Sequence, residues 1–314
     1  MKIKEKLKSI AIINKTYRKI EFNQKTRGTY DFSNRQSGYD KLCIILAGYK
    51  PILWGIVFKR ISNFISNDID VCIVSSGTRS IQLSNIARKN NWSYLCVKRN
   101  QVSLAQNIAI KLHPKAKMIF KMDEDMFVTK GTFSSMLDTF KYVSNNTKYV
   151  PGVISPIIPV NGYGYVRILK KFNLEEEYQR LFGKFQIVSG PKTGIERNSK
   201  VAKFFWGEDN YVPSIDELNK ELHYNTREYS ICPIRLSIGC IMFTRNFWDR
   251  IGMFDVKRGN GMGQDEVKIN ISCMLESMPI IIDENCVVGH LGFGQQNNVM
   301  YNYFLKNKNK FDIL

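Results

Sequence analysis

The chain has 314 residues, of which 44% are hydrophobic, so it is not intrinsically disordered and can form one large core, or one core domain with a sizeable insertion. Its 46 lysines and arginines outnumber its 28 aspartates and glutamates, and the net charge of +18 favours phosphates, acidic lipid headgroups or nucleic acid as partners. No apolar run approaches the roughly 20 residues that span a bilayer, and the N-terminus lacks the pattern of a signal peptide, so we expect a cytoplasmic protein.

Residues 1–38 form a basic N-terminal segment in which apolar side chains recur at helical spacing. These apolar positions are Ile3, Leu7, Ile10, Ile13, Tyr17 and Ile20. The pattern predicts an amphipathic helix. It either lies on an anionic membrane surface or packs against its own domain with a solvated basic face.

Short apolar runs alternate with helical stretches between residues 42 and 120. The runs, which we interpret as buried strands, cover 42–46, 71–74, 94–97 and 118–120. The helical stretches cover 52–65, 79–90 and 103–112. This alternation predicts an α/β fold, with a mostly parallel sheet and helices on both of its faces. The seven cysteines lie mostly inside apolar runs, without the close pairs of zinc or redox motifs, so we expect reduced core thiols.

The regular pattern weakens between residues 161 and 229, which we interpret as one long insertion in a domain that spans 39–296. Apolar runs at 238–243, 280–282 and 286–288 predict three further strands. Residues 297–314 form a basic tail. Its apolar side chains, a second candidate contact with a membrane surface, are Phe304, Leu305, Phe311 and Leu314.

Polar residues follow the predicted strands, at the edge where α/β sheets bind their ligands. Tyr49, Ser76 and Arg99 stand there, and so does the cluster that begins at Asp123 and ends at Asp125. In an extended chain these two carboxylates point to the same side. Converging carboxylates favour a divalent cation such as Mg²⁺ or Mn²⁺, which would also hold a diphosphate. The alternative is a polar strand end whose carboxylates cap the next helix.

Two residues further along the chain are also candidates for chemistry. Asp265 follows the glycine-rich stretch 259–264 and opens a helical segment, where a carboxylate can take a proton from a substrate hydroxyl. The alternative is a helix N-terminal acid that the helix dipole stabilises. His290 ends the last predicted strand, where an imidazole could complete a metal shell, although an isolated histidine is usually structural.

Taken in order, four motifs over residues 40–295 resemble the inverting family 2 glycosyltransferases, which have the GT-A fold. The motifs are Ala47-Gly48-Tyr49-Lys50, the segment from Arg99-Asn100 to Ala105-Gln106-Asn107, Met122-Asp123-Glu124-Asp125, and the stretch from Gly239 to Asp255 with Gln264-Asp265 after it. The chain departs from the family at Ser75-Ser76-Gly77, Gln106 and Gln264, where the family has an acidic residue, an arginine and a glutamate.

The resemblance implies a donor site, a metal and a catalytic base. The residues implied in binding the nucleotide sugar are Gly48, Tyr49, Ser76, Arg99, Gln106 and Asp123. Asp125 and His290 would hold Mn²⁺ or Mg²⁺ against the donor diphosphate, and Asp123 would hold the ribose or the metal. Asp265 would deprotonate the acceptor hydroxyl in a single inverting displacement. The acceptor is expected to be selected by residues 161–229.

The implied activity is metal-dependent transfer of a sugar from a nucleotide-sugar donor to a hydroxyl of a glycan or lipid-linked acceptor. Bacterial surface polysaccharide synthesis, on the inner face of the membrane, is the expected setting. A sugar-phosphate nucleotidyltransferase shares this sheet, but it should carry a glycine- and arginine-rich phosphate loop, which 47–51 resembles poorly. A non-catalytic nucleic-acid-binding protein would explain the charge, but the basic residues are spread from Lys2 to Lys310, so no nucleic-acid partner is expected.

Overall fold

The computed structural model describes residues 11–189, 194–223, 226–257 and 263–313, with side chains from residue 16 onward. The predicted helix positions Ile3, Leu7 and Ile10, the side chain of Ile13, residues 259–262 and Leu314 lie outside the described part. The chain divides into two compact units. The first consists of Met1–Gly48, Asp70–Ile119 and Thr244–Ser272, and the second of Tyr49–Ile69, Phe120–Phe243 and Cys273–Leu314.

The α-helices are numbered along the described chain. They are α1 (Ala11–Lys25), α2 (Trp54–Phe64), α3 (Ile81–Lys89), α4 (Val102–Leu112), α5 (Thr132–Asn146), α6 (Gly164–Lys171), α7 (Glu175–Phe182), α8 (Gly194–Arg197), α9 (Ser199–Phe205), α10 (Ile215–His223), α11 (Arg245–Arg250), α12 (Gln264–Leu275) and α13 (Asn297–Lys306).

The first unit contains a run of neighbouring strands in the order β1-β4-β3-β2. They are β1 (Tyr30–Ser33), β2 (Lys41–Leu46), β3 (Asp70–Ser76) and β4 (Ser93–Val97). β2 pairs with β3 and β3 with β4 in parallel, and every residue of β3 and β4 is buried, as the apolar runs predicted. β1 is antiparallel to β4 and lies in the N-terminal segment, where no strand was predicted.

Helix α4 is the central helix of the first unit, since eight of its eleven residues are buried. Polar side chains in such a helix need internal partners. Asn107 has them: its Nδ2 donates to the carbonyl oxygen of Phe254 at 2.9 Å, and its Oδ1 accepts from Nε1 of Trp248 at 3.0 Å. These bonds fix the segment from α11 to residue 254.

The second unit contains neighbouring strands in the order β5-β9-β7-β10-β8, and a separate pair of β6 and β11. The strands are β5 (Met118–Asp123), β6 (Met126–Phe127), β7 (Val153–Ile157), β8 (Tyr229–Ile231), β9 (Cys240–Thr244), β10 (Ile280–Val287) and β11 (Gly289–His290). β7 and β10 are parallel, whereas β9 is antiparallel to β7 and β8 to β10. The short β6 and β11 are antiparallel and bring the residue after Asp125 opposite His290.

The two strands predicted at 280–282 and 286–288 form the single strand β10, so the predicted break between them was wrong. The three polar residues in the middle of β10 concealed it. Their side chains are buried with partners: Arg167 lies 2.7 Å from the carboxylate of Glu284, and Nδ2 of Asn285 donates to the carbonyl oxygen of Leu222 at 3.1 Å. Ion pairs and hydrogen bonds of this kind allow a polar run inside a strand.

The insertion and the tail are more regular than the sequence suggested. Residues 161–229 contain helices α6 to α10, although the sequence showed little periodicity there. In the tail, Phe304 and Phe311 are buried, and the ring of Phe311 lies 4.2 Å from that of Trp206. These two phenylalanines are core residues and not surface contacts, so the predicted membrane role of the tail is wrong for them. Leu305 is exposed.

The alternation of helices with parallel strands confirms the α/β class. All seven cysteines lie in the described part of the chain, where they are buried, as predicted, and form no disulfide. None of the helices in the described ranges combines the length and the hydropathy that crossing a bilayer requires.

Candidate active site

The strand that was predicted to present two carboxylates ends at the first of them. The backbone N–H of Asp123 donates to the carbonyl oxygen of Gly239 at 2.9 Å, and its carboxylate lies 2.7 Å from Nζ of Lys121. Lys121 is buried and also donates to the carbonyl oxygen of Ile238. The side chain of Asp123 remains 38% exposed. It is therefore a partly solvated carboxylate with a buried lysine beside it.

Glu124 and Asp125 form a turn and not an extension of the strand, so the argument that Asp123 and Asp125 share one side of an extended chain was wrong. Glu124 is buried, and it accepts from the backbone N–H of Tyr49 at 2.9 Å and from Nε1 of Trp54 at 2.6 Å. The side chain of Tyr49 is exposed. Glu124 thus fixes the loop that precedes α2, which carries the predicted donor residue Tyr49.

Asp125 is the most enclosed carboxylate of the cluster, with 2% of its side chain exposed. Its Oδ2 accepts from the ammonium of Lys50 and lies 3.2 Å from Nε2 of His290. Burial alone would raise the pKa of this carboxyl group, but His290 and Lys50 hold it well below its usual range. Burial lowers the pKa of Lys50, and Asp125 more than reverses this effect. Asp125 is therefore a buried carboxylate that stays ionised.

His290 is oriented from both sides of its ring. Nδ1 lies 3.2 Å from the carbonyl oxygen of Val160, and the ring of Phe293 packs edge-on at 4.6 Å. Its own carbonyl oxygen accepts from Nε1 of Trp206 at 2.9 Å. Each ring nitrogen therefore faces an oxygen acceptor, Nδ1 the carbonyl of Val160 and Nε2 the carboxylate of Asp125.

The fit of a divalent cation to this cluster can be judged from its donors. An ionised carboxylate and an imidazole nitrogen that lie side by side can both bind the same Mn²⁺ ion. The contact of His290 Nδ1 with a carbonyl oxygen is also typical of metal-binding histidines. Within the described ranges, no three His, Cys, Asp or Glu side chains are grouped to hold a metal. Asp125 and His290 therefore fit as two ligands, and a bound diphosphate would have to supply others.

Three residues of this cluster were not among the predicted site residues. Lys50 and Trp54 contact the carboxylates directly, as described above. Tyr301 of α13 lies close enough for Lys50, Asp125 and Glu124 to affect the pKa of its phenol, which burial raises. The position of Lys50 in the predicted nucleotide loop was the available signal. Nothing in the sequence around Tyr301 pointed to the cluster.

In the first unit, the structure brings together Gln106 and Asp265, which the sequence placed on the donor and acceptor sides. Nε2 of Gln106 donates to Oδ2 of Asp265 at 2.7 Å, and both side chains are buried. The Oε1 atom of Gln106 is buried without a hydrogen-bond partner. A buried carboxylate at the first turn of α12 is thus held by one neutral amide donor.

The other predicted donor residues of the first unit lie at the ends of its strands or directly after them. Ser76 ends β3, and its hydroxyl donates to Oδ1 of Asn100 at 3.1 Å. Gly77 has a φ of +80°, and a Cβ there would meet the Cβ of Asn100 at 2.5 Å, so this turn needs a glycine. The guanidinium of Arg99 donates to the carbonyl oxygen of Lys257. Gly48 follows β2 and is partly exposed.

Comparisons with known proteins give likenesses in structure but not in sequence. No protein-family model matches the chain, and no curated protein matches it. Among 143 matching solved chains is a crystal structure of GalNAc-T7 with UDP, GalNAc and Mn²⁺, with 12% identity and a TM-score of 0.47. The match covers 81% of this chain and 44% of that one, so this chain spans less than half of that protein.

A second likeness is to the mannosyltransferase PcManGT from Pyrobaculum calidifontis in complex with GDP-Man and Mn²⁺. Identity is again 12%, the TM-score is 0.44, and the match covers 90% of this chain and 68% of that one. Identity this low does not place the chain in the family of either protein.

Proposed function

We propose that this chain is a metal-dependent glycosyltransferase with the GT-A fold. It moves a sugar from a nucleotide-sugar donor to a hydroxyl group of a glycan or lipid-linked acceptor. The observation that carries the proposal is the cluster at Asp125: a buried, ionised carboxylate beside an oriented histidine and a lysine, directly after a buried strand. Such a cluster suits a donor diphosphate, which brings negative charge and needs cations around it.

On the donor side, Asp125 and His290 would hold Mn²⁺ or Mg²⁺, with Asp123 on the ribose or the same ion. When bound, the ion supplies positive charge to the leaving diphosphate. Lys50 adds a cation that belongs to the chain itself, and a lysine ammonium is a common ligand of phosphate oxygens. Glu124 keeps the loop of Lys50 in place through its bonds to Tyr49 and Trp54.

The nucleotide would lie against the loops that follow the strands of the first unit. Gly48, Ser76 and Arg99 contribute small, hydroxyl and guanidinium groups there. Tyr49 belongs to the second unit and is proposed to bind the donor through its exposed aromatic ring. Loops at the carboxyl ends of parallel strands are the usual ligand sites of α/β sheets. These residues are accordingly proposed to set the preference for the nucleotide.

On the acceptor side, Asp265 takes the proton of the acceptor hydroxyl while that oxygen attacks the anomeric carbon. The bond from this carbon to the diphosphate breaks, the nucleoside diphosphate leaves with the electron pair, and the anomeric configuration inverts. Gln106 acts as a positioning residue, because its amide holds one carboxylate oxygen of Asp265 and leaves the other for the hydroxyl. Residues 161–229 are proposed to select the acceptor.

The setting we propose is bacterial surface polysaccharide synthesis on the cytoplasmic side of the membrane. The net charge of +18 suits an enzyme that handles diphosphates near acidic lipid.

The test is donor binding and hydrolysis across a panel of nucleotide sugars, with Mn²⁺, with EDTA, and with Asp125→Ala. We expect one donor to be turned over, and this turnover to disappear with EDTA and with Asp125→Ala. Asp138→Ala is the matched control in the same unit, because Asp138 is an exposed carboxylate in weak surface ion pairs. If no nucleotide sugar binds with or without metal, the proposal is wrong. A product with retained configuration would remove the role given to Asp265.

A further inference from the structure

Helix α12 exposes its large apolar side chains. Val267 and Ile271 are 41% and 46% exposed, and Met274 and Leu275 are 74% and 73% exposed. Their spacing of four, three and one residues places them on one face of a continuous helix. These four residues define the outer face of α12.

The opposite, buried face of α12 contains few large apolar side chains. Its buried residues are Asp265, Ile269, Ser272 and Cys273, so only one large apolar side chain points inward. A surface helix normally buries its apolar stripe and exposes polar residues. Here the larger apolar side chains are outside, and an exposed apolar stripe of this kind marks an interaction surface.

Helix α1 lies beside the start of α12 in the first unit. The carboxylate of Asp255 joins them: Nζ of Lys25 at the end of α1 lies 2.8 Å from Oδ1, and Nζ of Lys268 in α12 lies 3.7 Å from Oδ2. Nζ of Lys25 also donates to the carbonyl oxygen of Gly252 at 2.7 Å. The end of α1 and the first turns of α12 therefore both lie close to Asp255.

Helix α1 carries charge and further apolar groups. Tyr17 and Ile20 are 45% and 50% exposed, and Arg18 and Lys19 between them are exposed as well. An exposed aromatic ring and aliphatic groups among basic side chains are typical of helices that lie in the headgroup region of a bilayer.

We propose that the outer face of α12, together with α1, docks the protein on an anionic lipid surface. The apolar side chains of α12 enter the acyl boundary, and the basic residues of α1 lie against acidic headgroups. Charge favours lipid over a second copy of the chain, because two copies that each carry +18 repel one another, whereas acidic lipid attracts them. The inference rests on the proposed function for its purpose, since a lipid-linked acceptor is reached at the membrane.

The experiment measures binding of the full chain to phosphatidylcholine vesicles with and without phosphatidylglycerol, in the absence of donor and acceptor. We expect binding to the anionic vesicles, weakened roughly tenfold or more by the triple change Ile271→Ser, Met274→Ser and Leu275→Ser. The matched control is Ile81→Ser in α3, an equally exposed apolar residue at 78% on another helix. It should leave binding unchanged. Equal binding by the triple variant and the wild type would overturn the proposal.

A fluorescent label separates lipid contact from self-association. Because all seven native cysteines are buried, Met274→Cys or Ile81→Cys can be labelled selectively with an environment-sensitive dye. We expect anionic vesicles to increase the emission at 274 and not at 81. An increase at 274 that depends on protein concentration without vesicles, accompanied by dimer mass, would show that a second copy covers the face, and would contradict the proposal.

The role of α1 is tested by Arg18→Gln and Lys19→Gln, which should weaken binding to anionic vesicles by about fivefold each and leave binding to neutral vesicles unchanged. No effect of either change would remove α1 from the docking surface. Because no sugar donor is present, failure here leaves the proposed transferase untouched. Failure of donor binding likewise leaves the vesicle result valid.

Discussion

Asp125 in the second unit and Asp265 in the first are both buried carboxylates, but their partners differ. Asp125 contacts the ammonium of Lys50 and the imidazole of His290, whereas Asp265 accepts from the neutral amide of Gln106. A carboxylate whose charge is offset by cations is a poor proton acceptor and a good anchor for positive groups. A carboxylate whose donor is a neutral amide has no neighbouring cation that competes with a proton. The contrast in partners supports the donor role that we propose for Asp125 and the base role that we propose for Asp265.

The largest effects should come from removing each carboxylate in turn. Asp265→Asn should lower kcat by about 10²–10⁴-fold, because the amide cannot take the proton of the acceptor, while donor affinity stays unchanged. Asp125→Asn should instead abolish metal-dependent donor binding. Isothermal titration with the donor, and initial rates with donor and acceptor, measure the two effects.

The neighbouring Glu266→Gln serves as a control for Asp265→Asn, because it makes the same change of carboxylate to amide one position later in α12. It should leave kcat close to that of the wild type. If Asp265→Asn weakens donor binding as much as Asp125→Asn does, the two carboxylates do not have separate roles.

The sequence predicted the strands of the first unit best, because β2, β3 and β4 each contain an uninterrupted apolar run. β2, β3 and β4 lie within a residue or two of the predicted runs, since parallel strands buried on both faces have no polar alternation. β10 was predicted in two pieces because its centre is polar, and only long-range partners such as Arg167 explain that run. β1 was missed because its pairing with β4 is also long-range.

The candidate site, like the fold, was predicted only in part from the sequence. Asp125, His290 and Asp265 were predicted as site residues because each stands after a recognisable strand or at the start of a helix. The partners that give them different chemistry, Lys50 and Gln106, come from positions 75 and 159 residues away. A pattern in one stretch of chain cannot predict such pairings, since they depend on tertiary contacts.

A smaller effect is expected at Lys50. Lys50→Met removes the charge-assisted hydrogen bond that we propose between Lys50 and the donor diphosphate. Because such a bond contributes roughly 1.5–3 kcal/mol, the donor Kd should rise by about 10- to 100-fold at saturating metal. Lys59→Met in α2 is the control: Lys59 is half exposed, and its ion pair with Asp312 lies at the surface. It should leave the donor Kd unchanged. A Lys50→Met protein with normal donor affinity but a lower Tm would make Lys50 a structural partner of Asp125 only.

The smallest effect tests the neutral partner of Asp265. Gln106→Glu replaces the amide with a carboxyl group of the same shape, so two carboxylates share one buried site, and each raises the pKa of the other. The base then loses its proton only at higher pH, and the acidic limb of the profile of kcat/KM against pH should move up by about one unit or more. Gln106→Leu adds no charge and removes only the hydrogen bond to Asp265, so it should move the limb in the same direction but by less than Gln106→Glu does. Since kcat/KM reports groups of the free enzyme, an unmoved limb in Gln106→Glu would mean that the base is not the carboxylate that Gln106 holds.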